Sequence, residues 1–208
     1  MRIVNPRDQI QLGSISTSRT ELVDLIKAWV AISLAFAILF KSSFLSSDFF
    51  NVFIFSSITV GLGFIAHEMA HKVVAQRYGC TAEFRAWDSM LIMAVVMSFF
   101  GLVIAAPGAV MISGPVGKRR NGKISAAGAI ANLVVALLFL SILLISAKGA
   151  LFSIARYGFM INTWLALFNM IPFWMFDGKK VLEWNRAVYF IMLVVAVGFM
   201  ILNNIIFA

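Results

Sequence analysis

The chain reads as an all-α integral membrane protein with five to six transmembrane helices and a re-entrant or β-containing, membrane-embedded segment at about 88–113. Three observations carry this assignment. Of the 208 residues 62% are hydrophobic, with a mean hydropathy of +0.95; soluble domains sit at roughly 45–50% apolar. Several apolar runs reach the roughly 20 helical residues that cross a hydrocarbon core. The basic residues gather in short connections between those runs, as positive-inside topology requires.

Residues 1–25 are expected to form a cytosolic N-terminal leader. Arg2, Arg7, Asp8, Arg19, Glu21 and Asp24 interrupt it, so it has no compact apolar core and does not read as a signal peptide. Ser18 followed by Glu21 fits a capping box that would start the first membrane helix. Residues 26–208 then read as a single polytopic membrane domain, with apolar stretches at about 28–46, 51–75, 88–113, 124–147, 157–176 and 183–207. No internal repeat or low-complexity linker is visible. The polar connections are too short for a separate soluble domain, so function belongs in the membrane or at its edges.

Charge sets the expected orientation. Lys72, Arg77 and Arg85 follow the second stretch; Lys118, Arg119, Arg120 and Lys123 follow the third; Lys179, Lys180 and Arg186 follow the fifth. All three clusters should face the cytosol. The first two share a side only if residues 88–113 cross the membrane an even number of times. Twenty-six residues are too few for two full helices at about 1.5 Å per residue. A short helix inward and an extended return through Ala106–Met111 satisfies both conditions, since non-helical backbone is tolerated at membrane depth when it is buried in protein or lines a wet cavity. The alternative is one ordinary helix over 88–106.

Seventeen Lys and Arg against nine Asp and Glu give a pI near 10.1. Because these cations flank apolar runs, the partners they imply are anionic membrane lipids and not nucleic acid. The lone Cys80 excludes an internal disulfide and a cysteine-only metal cluster, and reads as an ordinary thiol at a loop or helix end.

The second stretch contains His67-Glu68-Met69-Ala70-His71, an HExxH pattern. Histidines four apart share one helix face, so both rings reach one metal ion, and the intervening glutamate can act as base on water. An ionisable group inside a spanning segment marks a functional site by default. The plainer alternative is that these residues mark the cytosolic end of the helix, with Lys72 paired to Glu68. Two histidines leave a tetrahedral catalytic zinc one protein ligand short. The chain has no third histidine, so the missing ligand is a carboxylate. Most acidic residues lie in the leader or in polar connections, but Asp177 closes the stretch Asn169-Met170-Ile171-Pro172-Phe173-Trp174-Met175-Phe176-Asp177-Gly178 at the end of an apolar run. Pro172 should break that helix, and Gly178 should permit a turn that re-aims the aspartate. Taken alone, Asp177 also fits a solvated helix-end charge. Topology favours pairing it with the histidines: runs 51–75 and 157–176 should descend in the same direction and bring His67, His71 and Asp177 to similar depth.

The pattern resembles the site-2 protease family of intramembrane metalloproteases, the M50 peptidases. The resemblance rests on HEMAH at 67–71, on Asn-x-x-Pro-x-x-x-x-Asp-Gly at 169–178, and on Gly128-Ala129-Ile130-Ala131-Asn132 between them; it covers roughly 51–178. It implies one zinc per chain held by His67, His71 and Asp177, with Glu68 as catalytic base. It further implies a β-rich or re-entrant region between the first two core helices. The implied reaction is hydrolysis of peptide bonds in or near the transmembrane helices of membrane-protein substrates, as in regulated intramembrane proteolysis. The implied location is the cell membrane, with the site toward the cytosolic side. Two departures, Ala129 where the family often has Pro and Phe176 where it commonly has Leu, are apolar and spare every proposed ligand. The PDZ domain of some members is missing.

Asn169 is a candidate donor to the oxyanion or the substrate backbone, or equally a helix–helix bridge; Asn132 fits a helix–helix contact better. Other classes use the same ligands: a metal-binding membrane transporter or sensor, or a catalytically silent scaffold. A transporter needs no glutamate beside the first histidine, and a scaffold has no use for a buried base.

Overall fold

The structure is a computed structural model that describes residues 9–13, 15–40, 48–103, 107–173 and 176–207. Arg2, Arg7 and Asp8 of the leader, Ala106 of the expected return and Trp174–Met175 of the third motif lie outside these residues.

The chain enters through an antiparallel hairpin of β1 (Gln9–Leu12) and β2 (Ile15–Ser18), which runs directly into α1 (Arg19–Phe40). The Ser18 hydroxyl accepts the Glu21 backbone N–H at 3.1 Å, so half of the expected capping box is formed. The other half is not, because the Glu21 side chain is taken elsewhere. Its carboxylate accepts from Thr17 Oγ1 at 2.8 Å, from the Phe84 backbone N–H at 2.9 Å and from Lys72 Nζ. These partners let α1 start at Arg19, well ahead of the apolar run, so that residues 19–25 of the expected leader are helical.

Next, α2 (Phe49–Ser56), a π-helical turn (Ser57–Gly61) and α3 (Leu62–Arg77) form one uninterrupted 29-residue rod. A π turn pulls carbonyls out of the regular ladder. Here polar side chains of neighbouring helices take them up: Trp29 Nε1 donates to Ser57 O at 3.0 Å, and Asn162 Nδ2 donates to Thr59 O at 3.2 Å.

After α3 come β3 (Thr81–Ala86), α4 (Asp88–Ser98) and β4 (Gly108–Ser113). The strands pair antiparallel from Ala86↔Gly108 to Thr81↔Ser113, so the chain leaves and returns beside its point of departure. With 11 residues α4 is about 16 Å long, roughly half a hydrocarbon core; the single helix over 88–106 is not formed. Two-stranded pairing also makes the chain helical in the main and not wholly α. The outer edge of β3 is closed by acidic side chains of α1: Phe84 N–H on Glu21, and Ala86 N–H on Asp24 Oδ2 at 3.3 Å.

The remaining elements are α5 (Lys118–Ile145), α6 (Ala150–Asn169), α7 (Asp177–Trp184) and α8 (Arg186–Phe207). Among the described residues five helices are long and apolar enough to cross a membrane: Arg19–Phe40, Phe49–Arg77, Lys118–Ile145, Ala150–Asn169 and Arg186–Ile206. Contacts give their relative directions. Along α5, Ile124 meets His71 and Asn132 meets Gly63, so α5 runs against α3. Asn132 meets Asn162 and Phe139 lies at Gly158, so α5 also runs against α6. Thus α3 and α6 are parallel, and their C-terminal ends meet the N-terminal end of α5. Apolar clusters flank this junction: Leu25, Val60, Phe64, Phe84 and Ile161 on one side, and Ala126, Met170, Val181 and Tyr189 on the other.

Candidate metal centre

His67 and His71 project from one face of α3 and are both buried, as helical spacing of four requires. Their Nε2 atoms lie 2.9 Å apart, with the rings nearly perpendicular. Each Nδ1 faces an acceptor. His67 Nδ1 lies 2.7 Å from Asn132 Oδ1, and His71 Nδ1 lies 2.8 Å from the Ile124 carbonyl. The Asn132 amide is oriented by its nitrogen, which donates to Gly63 O at 3.1 Å and to Asn162 Oδ1 at 3.3 Å. Both Nδ1 atoms therefore carry protons, and in the neutral rings both Nε2 atoms are bare lone pairs.

Those lone pairs face a third acceptor. Asp177 Oδ2 lies 3.3 Å from His67 Nε2 and 2.9 Å from His71 Nε2. These three atoms lie within 4.8 Å of one another and form a group that could hold a metal ion. Ligands at roughly 2.0–2.1 Å in a tetrahedron stand roughly 3.3 Å from one another, close to the spacings here, so the residues fit a zinc ion. The other carboxylate oxygen, Oδ1, faces Lys180 Nζ at 3.5 Å.

Local packing explains why these side chains converge. α5 passes directly beneath both rings at Gly128, where an added Cβ would stand 2.5 Å from His71 Nε2 and 2.6 Å from His67 Cε1. α6 ends at Asn169, and Pro172 falls in the following turn, where it has no helical bond to break. Asp177 is the first residue of α7. Gly178 does not act through a turn, as the sequence suggested. It is helical, and its missing side chain lets α7 pass against the end of α6, where a Cβ would stand 2.8 Å from Met170 Cα.

Glu68 is half-buried beside the cluster, with its carboxylate near the Val110 backbone of β4. It is not paired with Lys72, which is buried and bonded to Glu21. Asn169 donates one amide hydrogen to Leu165 O of its own helix at 2.9 Å. Cys80 is a buried, free thiol just past α3, packed among Ala75, Ala82 and Ile124.

Three contributors were not assigned to the centre from sequence. Asn132, read as a helix–helix contact, makes that contact and also orients His67. Asn162 was not singled out at all; the signal was an amide inside an apolar run, which is expensive there unless bonded. The Ile124 carbonyl, as backbone, carries no sequence signal.

A search of known families finds no matching family profile, and no solved structure matches. The chain is 40% identical over 187 residues to a Methanocaldococcus jannaschii protein named "Putative zinc metalloprotease", covering 88% of this chain and 94% of that one. The chain belongs to the same family as that protein.

Proposed function

We propose that the chain is an intramembrane zinc metalloprotease of the site-2 type, hydrolysing peptide bonds in or near the transmembrane helices of membrane-protein substrates. The observation that carries this is the convergence of His67 and His71 Nε2 and the Asp177 carboxylate on one point, with Glu68 beside them, in a chain whose described residues include five apolar helices of spanning length. The relative's name supports the metal and the reaction class.

His67, His71 and Asp177 would hold the zinc. When bound, zinc supplies Lewis-acid activation of water and of the scissile carbonyl. Glu68 takes the proton of the attacking water and delivers it to the leaving nitrogen. Its carboxylate lies near the Val110 backbone of β4. Asn169 has a second amide hydrogen to offer a substrate carbonyl or the developing oxyanion.

Peptide bonds in an intact helix are internally hydrogen-bonded and shielded, so the substrate must be extended at the site. The outer edge of β3 is occupied by Glu21 and Asp24, so an added strand would pair along β4, beside Glu68. In this proposal residues 88–113 dip into the membrane and return, and the site opens toward the cytosolic side, where Lys118, Arg119, Arg120, Lys123 and Lys179 cluster.

The test is co-expression with a panel of tagged single-pass membrane proteins. Cleavage by the native chain but not by Glu68→Gln supports the proposal. Metal-dependent flux that survives Glu68→Gln, without cleavage, would replace it with a transporter.

A further inference from the structure

The π-helical turn lies in the rod that carries both histidines, and side chains take up its carbonyls one by one. Two of these side chains are its own. Ser57 Oγ donates to Ile54 O at 2.8 Å, and Thr59 Oγ1 donates to Phe55 O at 2.8 Å. Two come from other helices: Trp29 Nε1 of α1 reaches Ser57 O at 3.0 Å, and Asn162 Nδ2 of α6 reaches Thr59 O at 3.2 Å. In a regular α-helix Ser57 O and Thr59 O would instead accept from the N–H groups four residues on, those of Gly61 and Gly63.

Both of those positions are glycine, and the incoming donor fills the space of each missing side chain. An added Cβ at Gly61 would stand 2.1 Å from Trp29 Nε1, and one at Gly63 would stand 2.1 Å from Asn162 Oδ1. Residues two apart point about 200° apart around a helix, so Trp29 and Asn162 enter from opposite sides. Each sits between a carbonyl and the glycine that would close the ladder on it. π-Helical bonding is rare and occurs mostly as single turns within α-helices; here two opposed side chains hold one such turn open.

The consequence is rotational register. Bonding five residues on instead of four stores one extra residue and leaves the helix on either side in phase. Collapse of the same residues to α geometry would turn one flank against the other by about 100°. The flanks are fixed to different partners. On one side Trp29 ties Ser57 O to α1. On the other, Asn132 of α5 donates to Gly63 O at 3.1 Å and lies 2.7 Å from His67 Nδ1. Both attachments hold together only while the extra residue is stored in the turn. His67 and His71 follow on the same helix, so their direction toward Asp177 depends on it.

We infer that the Ser57–Gly61 π turn, held open by Trp29 and Asn162, sets the rotational register of the helix face that carries His67 and His71, with Trp29 as a positioning residue for the centre. The inference rests on the reading of that centre as a metal site.

Trp29→Phe removes the donor and keeps an aromatic ring, whereas Gly61→Ala fills the notch beside it. Each should let the turn collapse, so that protein purified in detergent loses most of its zinc. The unfolding midpoint of the metal-free protein, read by dye labelling of the buried Cys80, should fall as well. Deleting Ile58, inside the turn, removes the stored residue and leaves a regular helix with both flanks in phase. Adding this deletion to either substitution should restore most of the zinc and raise the midpoint above that of the substitution alone. A side chain that only fills space would not behave so, because a deletion inside the rod would then add to the damage. Double variants with no more zinc than the single variants would overturn the inference, as would near-native zinc in both Trp29→Phe and Gly61→Ala. If the native chain binds no zinc, the metal reading fails by itself, and a metal-free midpoint that the deletion does not raise overturns the register.

Discussion

Replacing Glu21 by Leu removes one carboxylate that ties three elements together. Glu21 is wholly buried and Lys72, its partner, is 1% exposed. The same carboxylate accepts from Thr17 on β2 and from the Phe84 N–H on β3. Removing one partner of a buried ion pair leaves an uncompensated charge, at a penalty of about 3–5 kcal/mol. For a chain of this size 1 kcal/mol moves the unfolding midpoint by roughly 2–4 °C, so Glu21→Leu should lower it by roughly 6–20 °C. Replacing both partners with apolar groups of similar volume is often nearly neutral. Adding Lys72→Met to Glu21→Leu should therefore recover most of the loss, short of the bonds to Phe84 and Thr17. Cys80 is the only cysteine and is buried, so a thiol-reactive dye reports unfolding directly in detergent. A single variant that melts with the native chain, or a double variant no more stable than the single, would refute the clamp role of Glu21.

Purified protein should carry close to one zinc per chain, and His67→Ala should lose most of it; full zinc occupancy in Asp177→Ala would remove that residue from the ligand set. Gly128→Ala should sharply reduce zinc content, because both rings are pinned at Nδ1 and cannot swing away from the new methyl group; native occupancy would show that α5 can shift. Cysteines at Thr81 and Ser113 in a Cys80→Ser background should cross-link on oxidation, since paired antiparallel residues lie about 4.5–5.5 Å apart at Cα. Failure to cross-link under conditions that oxidise a surface control would contradict the return of the chain after α4.

Much of the candidate centre was legible in the sequence because the residues that could hold a metal are side chains of restricted chemistry. Two histidines at helical spacing and one carboxylate at a helix end left few alternatives. Parity of crossings also brought α3 and α6 into the same direction, since charge clusters mark helix ends whatever the packing. Other features depend on pairings between residues far apart in sequence. The Ser18 cap marked where α1 starts, but nothing local showed that Lys72, Lys27 and the β3 N–H groups take up the Glu21 and Asp24 carboxylates. Lys72 was a plausible partner for Glu68 four residues away, and no local rule pointed to Glu21 on another helix. The π turn likewise follows from Trp29 and Asn162 reaching in from α1 and α6. Gly178 was legible as necessary but not for its reason, because close approach of α7 to Met170 is a tertiary fact.

The central claim is that Glu68 performs proton transfer at a zinc site it does not help to build. The glutamate leaves α3 about 100° from the direction of His67, and Glu68→Gln keeps its volume while removing the basic lone pair. The direct measurement is zinc content and cleavage of an identified transmembrane substrate, made on the same detergent preparation of native and Glu68→Gln protein. General acid–base catalysis typically contributes about 10²–10⁴-fold, and one group serving both proton transfers puts the expected loss toward the upper end, with zinc content unchanged. Normal zinc with undiminished cleavage would remove Glu68 as the base and contradict the mechanism.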